Sequence, residues 1–159
     1  MSFSPQVISG NINSNKIVEV TQQSDFGTAV ENSYIEVEPN TTFIVRGTVS
    51  MSVNLIFNTP GSASTIMGFD SQKDILSFSS GDKYIQAAVS SGVDQTPETL
   101  TIQNIGLHSV KVNIADSNGP GYFEYGAKGR YNFLNIDFKD NQRNPITALG
   151  GHTVNIEGC

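Results

Sequence analysis

Apolar and polar residues alternate along this chain in short runs, and the runs copy one another. Leu100-Thr101-Ile102-Gln103-Asn104-Ile105-Gly106-Leu107 and Tyr131-Asn132-Phe133-Leu134-Asn135-Ile136-Asp137-Phe138 share one order: apolar, x, apolar, x, Asn, Ile, x, apolar. Thr153-Val154-Asn155-Ile156-Glu157-Gly158 is a looser third copy. Alternation with a period of two suits strands that bury one face. Short strands returning about once per two dozen residues predict coils stacked on coils, an all-β parallel solenoid.

Earlier segments fit the same reading. Tyr34-Ile35-Glu36-Val37-Glu38 alternates, and Pro39-Asn40 turns the chain. Thr42-Phe43-Ile44-Val45-Arg46 and Thr48-Val49-Ser50-Met51 follow, with Gly47 as the bend between them. Val53 to Phe57, Ser64 to Asp70, Asp74 to Phe78 and Tyr84 to Val89 supply further strands. In Ser64-Thr65-Ile66-Met67-Gly68, Gly68 stands where Asn104 and Asn135 stand later. Residues 1–31 differ. Ser9 to Asn15 is a loop signal, Ile17-Val18-Glu19-Val20 is one short strand at most, and Asp25 to Glu31 allows one helical turn. The expected division is an irregular leader over 1–31, serving as cap or attachment, and a solenoid over 32–159.

Spacing sets the expected rungs. Ile44 and Ile66 lie 22 residues apart, Ile66 and Ile102 36, and Ile105 and Ile136 31. The surplus falls in turn-rich stretches, Ser90 to Pro97 and Asn118-Gly119-Pro120-Gly121. The last rung has two registers. One sets Ile156 over Ile136, so that Asn104, Asn135 and Asn155 either stack as an internal ladder or stand as ordinary turn asparagines facing solvent. The other sets Ile156 over Phe133, with Cys159 facing inward beside Ile136.

Composition narrows the function classes. Only 15% of residues are charged, and nine Lys and Arg against fifteen Asp and Glu leave a net charge of −6. The basic residues are scattered singly, which argues against nucleic acid as a partner. A single cysteine excludes an intrachain disulfide and a multi-cysteine zinc site. Met1-Ser2-Phe3-Ser4-Pro5 has no secretory pattern, and no apolar run suits a membrane span. A soluble protein made in a cytoplasm is expected.

Several motifs together resemble right-handed parallel β-helix proteins of bacteriophage tail fibres and other virion appendages. The residues are Tyr34 to Gly47, Gly47-Thr48-Val49, Thr65-Ile66-Met67-Gly68, Thr101-Ile102-Gln103-Asn104-Ile105 and Ile156-Glu157-Gly158-Cys159, in that order. The likeness spans roughly residues 34–159. It implies a right-handed parallel β-helix and a non-enzymatic structural component of a virion: a tail fibre, spike or adaptor module that contributes to host attachment. It also implies a homotrimer by analogy, other virion proteins as neighbours, no cofactor, and localisation in the virion. The pattern breaks off mid-rung at Cys159, so a longer polypeptide or another subunit is expected to cover that end.

Candidate chemistry is sparse. The main alternative is a carbohydrate-active β-helix enzyme, a polysaccharide depolymerase using Asp137 and Glu157 on neighbouring rungs as its two carboxylates. A β-sandwich carbohydrate-binding module is the other. It is disfavoured because Asn118-Gly119 is the one Asn-Gly step and Asp-Gly is absent. Asp70 and Asp74 flank Lys73, but Ser71-Gln72 reads as plain loop. His108 and His152 are isolated and read as turn or surface residues. Tyr122, Tyr125 and Tyr131 are the candidate glycan or subunit contacts, since tyrosines beside carboxylates and amides can stack on sugar rings.

Overall fold

The computed structural model describes residues 16–87, 98–114, 129–141, 145–148 and 153–159. Nearly all of them are strand or tight turn, in a β-solenoid of about four turns. Three faces repeat. The first stacks β1 (Lys16–Val20), β3 (Thr41–Val45), β6 (Ala63–Met67), the early halves of β9 (Thr99–His108) and β11 (Arg130–Lys139), and β13 (Thr153–Glu157). The second stacks β4 (Thr48–Met51), β7 (Ile75–Phe78) and the late halves of β9 and β11. The third is a five-stranded sheet in the order β12 (Ile146–Ala148), β10 (Val110–Ile114), β8 (Lys83–Ala87), β5 (Asn54–Phe57) and β2 (Tyr34–Glu36). Every ladder among the described residues is parallel. Among the described residues, the antiparallel contact is one isolated bridge, Val30 with Tyr34. The β-sandwich alternative, which needs antiparallel strands, is therefore excluded.

The core is a set of columns that run through the coils. Val18, Phe43, Ile66, Ile102, Phe133 and Ile156 stack on the first face. Val49, Leu76, Leu107 and Phe138 stack on the second, and Ile35, Leu55, Ile85, Val112 and Ile146 on the third. Phe43, Ile66, Leu76, Ile102, Leu107 and Phe133 are almost wholly buried, each contributing about 1.5–3 kcal/mol of transfer free energy. Polar residues alternate outward between them, which is why the sequence reads as period two.

The expected register at Ile66–Ile102 and Ile105–Ile136 is present. Two others change. Phe43, not Ile44, sits beneath Ile66. Ile156 stacks on Phe133, the second of the two registers, because Asn155 pairs with Asn132. Asn104 and Asn135 do form a rung-to-rung contact, Asn135 Nδ2 donating to Asn104 Oδ1 at 3.2 Å. Asn155 is not part of it and donates to Glu157 Oε1 instead. The place above Asn135 belongs to Gly158, left-handed like the two asparagines (φ 63° against 54° and 52°), where a Cβ would strike Asn135 Oδ1. Cys159 is exposed, its Sγ donating to the Phe133 carbonyl at 3.3 Å, and Ile156 is 53% exposed, because no strand is stacked on β13 among the described residues.

The described part of the N-terminal stretch packs on the solenoid. β1 pairs with β3 along its whole length, and Val20 is fully buried. A 3-10 turn over Gln23–Phe26 follows it, starting ahead of the Asp25 to Glu31 stretch where one helical turn is expected. The turn places Phe26 in the core, its ring centroid 5.0 Å from that of Phe43. Residues 16–31 thus cover the first-face strand β3 and share its core. Ala87 is in register with Ile114, and Thr99 with Arg130; the surplus stretches expected at Ser90 to Pro97 and Asn118 to Gly121 lie outside the described residues.

Candidate functional site

The outer surface of the second face carries the most developed polar arrangement among the described residues. Alternation turns Val49 and Met51 inward and Thr48, Ser50 and Ser52 outward; one coil on, Leu76 and Phe78 point in while Ile75, Ser77 and Ser79 point out. Ser50 stacks on Ser77, and the Ser79 N–H donates to the Met51 carbonyl at 2.8 Å, which holds the next pair side by side. The 3-10 turn supplies a wall. Gln23 Oε1 accepts from the Ser52 N–H at 2.6 Å and from its Oγ at 3.2 Å. Gln23 and the four serines, with Met51 and Phe78, line an open groove of about 430 Å³ that contains no ionisable side chain.

At the other end of this face the chain leaves the coil after β6 and loops through residues 68–74 before re-entering as β7. Asp74 holds the loop. Its carboxylate accepts from the N–H groups of Gly47 (2.9 Å), Phe69 (2.8 Å) and Asp70 (3.1 Å). Burial alone would raise its pKa, but those donors, led by Phe69 and Gly47, together with the Arg46 charge, hold it below the ordinary carboxylate value. Asp70 tightens the loop further, its carbonyl accepting from the Lys73 and Asp74 N–H groups and its carboxylate from the Gln72 N–H. Gly106 is small of necessity, since a Cβ there would lie 2.8 Å from the Ser71 carbonyl oxygen that passes over it. The loop presents Phe69, 60% exposed, with the Arg46 guanidinium 4.2 Å from its ring centroid.

Between these ends lies a polar cluster. Asp137 Oδ2 accepts from Gln72 Nε2 at 3.1 Å and pairs with Lys139 Nζ at 3.1 Å. The bond from Lys139 is the main reason its carboxyl sits below the ordinary value, with Gln72 and the charges of Lys139 and His108 adding to it. His108 stacks between Ser77 and Lys139, its Nε2 buried with no hydrogen-bond partner.

Compared with protein-family models, with curated proteins and with solved structures, the chain finds no match in any of the three.

The residues singled out from sequence fare unevenly. Tyr131 is fully buried, stacked on Leu100 and beneath Val154, so it is a core residue and not a surface for a sugar ring. Tyr122, Tyr125 and His152 lie outside the described residues. Asp137 and Glu157 are not stacked: Glu157 lies over Leu134, across the Asn135 corner, while Asp137 neighbours Gly106. Asp74 is committed to three backbone donors. No group of three potential metal ligands occurs among the described residues, and no helix there is long and apolar enough to cross a membrane. Phe69, Arg46 and the serine face were not foreseen. Two faint signals point to them: the Ser-x-Ser steps at 50–52 and 77–79, and the spacing from Arg46 to Phe69, which repeats that from Phe43 to Ile66.

Proposed function

We propose that this chain is a non-enzymatic structural module of a bacteriophage virion, within a tail fibre, spike or adaptor, that assembles as a homotrimer and contributes to host-surface attachment. The observation that carries this reading is the alignment of its motifs. Thr65-Ile66-Met67-Gly68 and Thr101-Ile102-Gln103-Asn104 run in one register, and Phe133 and Ile156 continue the same column. Three members of the set that resembles virion β-helices, these two and Ile156-Glu157-Gly158-Cys159, therefore repeat one structural position, strand followed by corner. A rod of this kind is stiff because each coil satisfies its backbone hydrogen bonds along the axis.

The test is compositional. Phage particles purified from the source strain are analysed by quantitative mass spectrometry and labelled with antibody to residues 16–87. The reading expects the chain at a fixed copy number in multiples of three, with label at one site on the particle. Its absence from particles overturns the reading.

A further inference from the structure

We propose that the outer surface of the second face, from Phe69 to the serine groove, binds a short uncharged saccharide chain of a few rings. This rests on the attachment role just proposed and gives it a ligand class and a site. A single exposed apolar residue is ordinary on a protein surface. Phe69 differs because the Asp74 carboxylate fixes the backbone of the loop that carries it and the Arg46 guanidinium lies against its ring, so the ring is positioned before any ligand arrives. An aromatic face presented in this way matches the C–H face of a sugar ring.

The groove at the other end calls for the same class of ligand by a different argument. Ser50, Ser77 and Ser79 line it with hydroxyls, Gln23 adds an amide, and no charged group enters the lining. Hydroxyls and amides without charge suit a polyhydroxylated neutral molecule, since each can donate or accept as the ligand requires. Met51 and Phe78 form its apolar floor. The two ends lie on the same two coils, Arg46 and Phe69 at the corner before the second face, Thr48, Ser50 and Ser52 after it on one coil and Ile75, Ser77 and Ser79 after it on the next. At about 3.3 Å per residue the strand path from Thr48 to Ser52 is roughly 13 Å, and Phe69 stands beyond its start at the corner, which asks for a ligand of a few rings. A protein partner fits less well, because the described residues of this surface lack the clustered apolar anchors of a protein interface.

The test is a titration of the isotopically labelled full chain with maltotetraose, cellotetraose and chitotetraose, read by amide NMR shifts. The expected result is saturable shifts with at least one probe, concentrated at Ser50, Phe69 and Ser77. Phe69→Ala weakens that binding at least tenfold and Phe69→Tyr restores it; Ser50→Val and Ser77→Val each weaken it threefold or more. Lys16→Ala, at the distant Lys16–Glu38 pair, leaves it unchanged. Thermal melts confirm that each variant is folded. The proposal is overturned if no probe shifts these residues, if Phe69→Ala binds as well as wild type, or if Phe69→Ala alters self-association instead. A chain present in particles that binds none of these sugars would leave the virion reading standing and remove this one.

Discussion

The corner between the first and second faces is built in two ways, and the contrast explains where surface features arise. In β9 and β11 the chain crosses it on one residue, Asn104 or Asn135, in the left-handed conformation, and the strand continues without a break. One coil earlier the chain departs at Gly68, loops, and returns at Ile75. The tight corner is held by its neighbour, amide to amide across coils. The looped corner is held from within, by one carboxylate that collects three backbone N–H groups from both its own coil and the coil below. A tight corner leaves nothing to recognise. A looped one displays side chains, and here it displays Phe69 beside Arg46.

That contrast can be broken most severely at Asp74. Asp74→Ala strands three donors near the core and should cost about 2–4 kcal/mol, lowering the melting temperature by roughly 5–15 °C. Circular dichroism melts check it, with Asp74→Asn expected to recover part of the loss. The same residue predicts a pH dependence. Its folded pKa is depressed below an unfolded value of about 3.9, so its stabilisation is present above about pH 4 and is lost as pH falls through the folded pKa. Melts between pH 5 and pH 2 should therefore fall more steeply for wild type than for Asp74→Asn.

The tight corner should respond more mildly. Asn135→Ala removes the ladder bond and places a less tolerant residue in the left-handed region, for about 1–2 kcal/mol. Asn135→Gly loses the bond but keeps the conformation, so it should fall between that variant and wild type in urea titrations. An Asn135→Ala loss equal to that of Asp74→Ala would erase the distinction between the corners. The smallest effect is expected at Phe69, where Phe69→Ala should change stability by no more than about 0.5 kcal/mol. A large loss there would make the ring a packing element and not a displayed one.

Much of the fold was legible because the solenoid writes its register into spacing. Ile66 to Ile102 and Ile105 to Ile136 align as expected, since surplus residues collect in turn-rich stretches and leave the strands intact. The last coil was ambiguous for a physical reason: asparagine and glycine both tolerate the left-handed corner, so Asn155 and Gly158 compete for it on sequence alone. The candidate site was barely legible. Phe69 has the hydrophobicity of a core residue, and only the departure of the loop turns it outward. Tyr131 shows the reverse, a residue with a polar tip that its column places fully inside.

The central claim is that Ile66, Ile102 and Phe133 share one column of an in-register parallel solenoid. Cross-strand backbone NOEs on the isotopically labelled chain test it most directly. The account predicts contacts of Ile102 with both Ile66 and Phe133 in the parallel pattern, Hα to amide H, repeated through the coils. Close Hα–Hα pairs between these segments, the mark of antiparallel pairing, or no contact among the three residues, would contradict it.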